Sequence, residues 1–124
     1  MKNKKIIIIG TTAFNLYFFR KDLILLCLEQ NYQVYAFVSE YTNEWLAKIE
    51  NLGATPITYQ LSRGGLNPLA DVQSTYRLMQ KIKVMQPDIV FSYSTKPVIY
   101  ATLAAYQAKV PYICGMIEGL GSPF

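Results

Sequence analysis

Ile6 to Ile9 is an unbroken β-branched run between Lys5 and Gly10. Such a run suits a strand buried on both faces, as in a parallel sheet. Residues 10–15 then read as a loop in which Asn15 can cap a helix reaching about Gln30. Leu16, Phe19, Leu23, Ile24 and Leu26 would give that helix a broad apolar face. Val34 to Val38 predicts a second strand. Thr42 can cap a second helix, with Trp45, Leu46, Ile49 and Leu52 on one side and Gly53 at its end. Thr55 to Tyr59 predicts a short third strand. Residues 60–67, QLSRGGLN, carry turn chemistry and precede Pro68, which suits the first turn of a helix. That helix should reach about Met85, with Val72, Tyr76, Met79 and Ile82 spaced for burial, before Pro87 stops it. Ile89 to Phe91 predicts a fourth strand. Pro97 opens an Ala-rich helix to about Ala108, and Tyr112 to Met116 predicts a fifth strand.

The alternation β-α-β-α-β-α-β-α-β implies an α/β fold. It should be one doubly wound, Rossmann-like domain with a parallel five-stranded sheet and helices on both faces. Ligands of open parallel sheets bind outside the carboxyl ends of the strands, near the point where strand order reverses. The unusual residues of this chain lie at those ends. Gly10 and Thr11 follow the first strand, and Ser62, Arg63, Gly64 and Gly65 follow the third. Tyr93, Ser94 and Lys96 follow the fourth, while Glu118 and Gly119 follow the fifth.

Each of these residues has a structural and a chemical reading. Gly10 either permits the strand-to-helix turn or lets a ligand approach the backbone. Arg63 is either a solvated turn charge or a guanidinium that grips phosphate or a sugar. Lys96 stands at a helix start, where a cation opposes the helix dipole, which favours phosphate or carboxylate binding. Glu118, among glycines, is a solvated loop acid or the candidate catalytic residue, as general base or sugar-hydroxyl acceptor. Arg20, beside Phe18 and Phe19, either snorkels or touches substrate or membrane. Cys27 and Cys114 read as buried core thiols, and Tyr93, Tyr100 and Tyr106 as packing.

Composition narrows the chemistry. The 124 residues are 52% hydrophobic and 16% charged, which excludes a disordered chain. There is no His, so Ser–His–Asp and Cys–His catalysis are excluded, with every His-bearing zinc site. Two cysteines allow neither a Cys₄ site nor a disulfide scaffold, and free thiols fit a reducing cytosol. No metal site and no cofactor is expected. GTTAFN lacks both the dinucleotide fingerprint and the P-loop pattern. The net charge of +4 is mild and scattered. It suits anionic surfaces such as lipid headgroups, and no nucleic-acid motif accompanies it. Arg20, Lys21 and Asp22 interrupt the apolar stretch from Phe14 to Leu28, which argues against a spanning helix and leaves peripheral membrane contact open.

The stretch PDIVFSYSTKPVIYATLAA (Pro87 to Ala105) and the following VPYICGMIEGLGSPF resemble the N-terminal domain of bacterial family 4 glycosyltransferases. NLYFFRKDLI (Asn15 to Ile24) and LSRGGLNPLAD (Leu61 to Asp71) resemble the same branch, that of capsule, O-antigen and protein-glycan assembly. The resemblance implies a metal-independent, retaining GT-B enzyme with two Rossmann-like domains facing a cleft. Its N-terminal domain would bind the acceptor, a sugar on a polyprenyl diphosphate. Its C-terminal domain would bind a nucleotide-sugar donor, typically UDP-linked. By the same resemblance Gly10 approaches the donor diphosphate, and Lys96 and Glu118 line the acceptor side. Many relatives carry His at the end of the fourth or fifth strand; here Glu118 stands at the latter position. The family continues beyond the position of Phe124. The expectation is therefore an acceptor-binding half that is inactive alone, whether truncated, excised or a subunit of a split enzyme whose partner carries the donor domain. Competing readings are a stand-alone nucleotide- or phosphate-binding module and a response-regulator-like domain. The latter lacks Asp at the ends of its first and third strands.

Overall fold

A computed structural model of the chain describes residues 4–60, 68–93 and 95–116. Five strands alternate with four helices: β1 (Lys5–Ile9), α1 (Ala13–Glu29), β2 (Gln33–Val38), α2 (Asn43–Leu52), β3 (Thr55–Thr58), α3 (Pro68–Met85), β4 (Ile89–Tyr93), α4 (Thr95–Gln107) and β5 (Tyr112–Met116). The strands form one sheet in the order β3-β2-β1-β4-β5, and every neighbouring pair is parallel. This is the Rossmann-like, doubly wound α/β domain that the strand and helix alternation predicts. Its order reverses between β1 and β4.

Alternate residues of each strand feed two separate cores, because successive side chains point to opposite faces. Ile6, Ile8, Val34, Ala36 and Val38 pack beneath Leu16 and Ile24 of α1 and Ile49 of α2. Ile7, Ile9, Phe37 and Val90 pack beneath Leu78 and Ile82 of α3 and Ala101, Ala104 and Ala105 of α4. Central β1 is buried on both faces, which is why its sequence is a continuous apolar run rather than an alternating one. Gly53 closes α2 in the left-handed conformation that glycine adopts without a Cβ penalty.

Five local expectations are corrected. The cap of α1 is Thr12, not Asn15: the Thr12 hydroxyl accepts the Asn15 backbone N–H at 3.2 Å, and the helix begins at Ala13. Threonine is favoured here because its extended backbone leaves the hydroxyl facing the free N–H groups of the first turn. We expect Thr12→Ala to lower stability by about 1 kcal/mol in urea unfolding, and Thr12→Ser to restore most of it. Second, Phe19 and Leu26 of α1 are 69% and 55% exposed. They flank the sheet-facing line of Ala13, Leu16 and Ile24, and apolar residues all round a helix leave the 3.6-residue period without a phase. Third, the buried line of α3 runs through Leu78 and Ile82, whereas Val72 and Tyr76 are exposed. Ile82 and, in part, Met79 pack on the core as expected, so the stripe keeps its C-terminal half and takes in Leu78 in place of Val72 and Tyr76. Fourth, Cys114 is exposed, since β5 is an edge strand, and Cys27 is only half-buried. Fifth, the expected packing of Tyr93 holds, but Tyr106 is 76% exposed.

Candidate functional site at the strand carboxyl ends

The turn after β1 is tied down by the neighbouring strand exits. Gly10 N–H donates to the Phe37 carbonyl at 3.0 Å. The Thr11 carbonyl accepts from the backbone N–H groups of Ser39 and Glu40, both at 2.9 Å, and from the Ser39 hydroxyl at 3.3 Å. Ala13 N–H donates to the Glu40 carbonyl at 2.8 Å, so the start of α1 is also fixed by the exit of β2. From beyond β3, the Tyr59 hydroxyl donates to the Gly10 carbonyl at 2.6 Å. Tyr59 is 6% exposed. Burial pushes its hydroxyl well above the ordinary tyrosine range, against a smaller lowering by the Ser39 side chain.

On the other side of the turn stands Tyr93, the last residue of β4. A Cβ on Gly10 would overlap the Tyr93 hydroxyl and lie 2.5 Å from its Cζ. The glycine is thus required by close approach of a ring. The Arg20 guanidinium reaches from α1 over the Tyr93 ring at 4.3 Å from its centroid and over the Phe91 ring at 5.9 Å. This cation–aromatic stack sits at the reversal of strand order, where parallel sheets bind ligands. Of the residues singled out from sequence, Gly10, Thr11 and Arg20 are therefore brought together. Arg20 is half-buried on aromatic faces rather than extended along the surface. Lys96 belongs to the first turn of α4, but its side chain lies outside the described residues. Arg63, Ser94, Glu118 and Gly119 also lie outside them.

A second feature adjoins this turn. A cleft of about 800 Å³ opens between the exits of β2 and β3 and the inner flank of α3. Ser39 and Tyr59 belong both to its wall and to the anchorage of the Gly10–Thr11 turn. Arg77 and Lys81 line the opposite side. Arg77 Nη1 donates to Gln60 Oε1 at 3.0 Å, and Lys81 Nζ donates to the Thr58 carbonyl. No acid is among the described residues lining the cleft. Ser39, Tyr59 and Arg77 were not singled out from sequence. Tyr59 reaches its partner across 49 positions of chain, which no local pattern encodes. Arg77 and Lys81 form an i,i+4 pair, but that they face the exit of β3 follows from where α3 sits over the sheet, which spacing alone does not encode.

Beyond the rim, Phe14 and Phe18 are 47% and 55% exposed and cluster with Tyr17 and Trp45 at ring separations of 4.7 to 5.7 Å. Lys21 lies over Tyr17 and Lys48 over Trp45. Among the described residues no helix is long and apolar enough to cross a membrane.

The chain is 32% identical over 108 residues to the N,N'-diacetylbacillosaminyl-diphospho-undecaprenol alpha-1,3-N-acetylgalactosaminyltransferase of Campylobacter jejuni. The match covers 87% of this chain and 28% of that enzyme. The chain is homologous to the GT-B glycosyltransferases over a single Rossmann-like half of that fold. As a glycosyltransferase-like domain it is thus related to an enzyme of lipid-linked glycan. Among solved structures it superposes on CalG4, the calicheamicin glycosyltransferase, with a TM-score of 0.65, 12% identity, and coverage of 94% of this chain and 33% of that one. It superposes comparably on the C-terminal domain of a Pyrococcus furiosus hydrogenase, with a TM-score of 0.61, 14% identity and 93% coverage of both chains. At such identities these likenesses show the fold alone. No family model matches the chain.

Proposed function

We propose that this chain is the acceptor-binding half of a retaining glycosyltransferase that extends a glycan carried on a polyprenyl diphosphate. The identity across 87% of the chain with a transferase named for such an acceptor carries this reading. In it, a nucleotide-sugar, of UDP type, is held by a second Rossmann-like half across a cleft. The strand carboxyl ends face that cleft. Gly10 and Thr11 present backbone toward the donor diphosphate, and Arg20 supplies a fixed positive charge beside them. Arg63, Ser94, Lys96 and Gly119 contact the acceptor, and Glu118 receives a hydrogen bond from a sugar hydroxyl or acts as base. The exposed rings of Phe14, Phe18 and Phe19, with Lys21 and Lys48 nearby, support peripheral contact with the inner face of an anionic membrane.

The chain should bind vesicles doped with a polyprenyl-diphosphate-linked sugar more tightly than undoped vesicles, and give no turnover alone. Adding a donor-binding half, fused or as a partner subunit, should produce sugar transfer from a nucleotide-sugar. Lys96→Ala and Glu118→Ala should then slow transfer with unaltered folding. No transfer in any such pairing, together with tight UDP binding by the chain alone in calorimetry, would replace this reading by that of a stand-alone nucleotide-binding module.

A further inference from the structure

We propose that the free edge of β5 pairs with β5 of a second copy of this chain, antiparallel about a two-fold axis at Cys114, joining two five-stranded sheets into one. The two edges of the sheet are built differently. In a parallel ladder, alternate residues turn their N–H and C=O groups to opposite sides of the strand. Beyond β3, Tyr59 N–H turns inward to the Val38 carbonyl, so Pro56 and Thr58 face the free edge. Pro56 has no N–H to offer there, and the Thr58 carbonyl accepts from Lys81 Nζ. Such an edge is blunted against pairing with another sheet. β5 has no such device. Its sequence, YICGM, holds no charge and no proline, and no described element pairs with its outer side. Tyr112 N–H turns inward to the Asp88 carbonyl at 3.2 Å, so the backbone groups of Ile113 and Gly115 face outward. An uncharged open edge of this kind is a template for another strand.

The outward groups select both the occupant and the register. An identical strand related by a two-fold axis runs antiparallel and presents the same groups in return. With Cys114 opposite its mate, Ile113 of each copy faces Gly115 of the other, and each such pair exchanges two hydrogen bonds. Cys114 then forms the pair without hydrogen bonds, its two Cα atoms about 4.5 Å apart. A glycine inside the strand suits the close approach of a second backbone. The side chains fit the same contact. Tyr112 is 68% exposed and Cys114 is exposed, on the face of β5 that continues Ile89 and Phe91 of β4. Phe19 and Leu26 border that face from the flank of α1 turned away from Trp45 and α2. The edge backbone, Tyr112, Cys114 and the nearer parts of Phe19 and Leu26 offer roughly 1,200 Å² over two copies, the lower end of the range for a specific interface. The dimer is therefore reversible, with a Kd of roughly 10–100 μM. Neither the register nor the occupant depends on the function proposed above.

Sedimentation equilibrium of the reduced chain from about 1 to 500 μM should show monomer passing reversibly to dimer. Cys114→Lys sets two like charges opposite each other at the axis and should weaken association at least tenfold. Its urea midpoint should stay parent-like, because the side chain is exposed. Leu103→Lys, at an exposed apolar position on α4, should change association less than twofold. Cross-linking tests the register separately. Diamide, which takes up the two thiol protons and two electrons, should join the copies through a disulfide between their Cys114 residues, since the Cα separation lies within disulfide range. Cys27→Ser should cross-link as fast as the parent. In the Cys27→Ser background, Tyr112→Cys/Cys114→Ser places the two thiols about 14 Å apart and should cross-link at least tenfold more slowly. A monomer at every concentration, association unaltered by Cys114→Lys, or equal cross-linking at positions 112 and 114 would each overturn the β5 interface.

Discussion

Replacing Gly10 with alanine should lower the unfolding free energy by about 3 kcal/mol, the upper part of the range for overpacking a filled site. The new Cβ has no space: it would overlap the Tyr93 hydroxyl and sit 2.5 Å from Cζ. The ring cannot retreat cheaply, because Tyr93 is 3% exposed and carries the Arg20 guanidinium on its face. The turn cannot retreat either, since Gly10 is bonded through its N–H to Phe37 and through its carbonyl to Tyr59. Tyr93→Phe should give little relief, as it removes the hydroxyl but leaves Cζ in place. Tyr93→Ala, itself costly as a large-to-small change in a core, should remove most of the additional loss caused by Gly10→Ala. A double-mutant cycle in urea measures this directly. Additive losses would mean that the ring and the glycine do not share this space. Gly10→Ala would also displace the ring on which Arg20 rests, so ligand binding at the strand-order reversal should suffer beyond the loss of stability.

This arrangement separates what local sequence encodes from what it cannot. The β-branched run of β1 and the Thr42-to-Gly53 punctuation of α2 are local signals, and both elements form where those signals predict. The strand and helix alternation likewise fixes the parallel sheet and directs attention to the strand ends, where Gly10, Thr11 and Arg20 meet. Helix faces were less legible. In α1, Phe and Leu occupy every side, so only the position of the sheet decides that Leu16 is buried and Phe19 is not. In α3 the expected line holds at Met79 and Ile82 but not at Val72 and Tyr76, and the local pattern did not single out the side of the helix that carries Arg77 and Lys81. The partners of Gly10 were illegible for a different reason. Tyr93 and Tyr59 reach it from β4 and from the end of β3, and tyrosines at strand ends carry no mark of the backbone they will cover.

Tyr59 gives the most discriminating test of that buried wall. Its hydroxyl donates to the Gly10 carbonyl at 2.6 Å, deep in the domain. Tyr59→Phe leaves this carbonyl without its donor and should cost about 1–3 kcal/mol at pH 7. The same hydroxyl should make the native chain sensitive to alkali. Burial raises its folded pKa above the ordinary tyrosine value, so the folded state holds a proton that the unfolded state releases near pH 10. The protonated hydroxyl's contribution is fully present below about pH 10 and is lost as pH rises from there toward the folded pKa. Through that window stability should fall by about 1.4 kcal/mol for each pH unit from this group alone. Tyr59→Phe lacks the group and should lack this component of the fall. Cys27, whose thiol is also raised by burial, is common to both proteins and cancels in their difference. Urea unfolding at pH 7, 9, 10 and 11 should therefore show a constant gap between parent and variant up to pH 9, narrowing above pH 10. A gap of unchanged size at pH 11 would mean that the Tyr59 hydroxyl ionises as readily in the folded chain as in the unfolded one, and that it is not the buried donor holding the Gly10 turn.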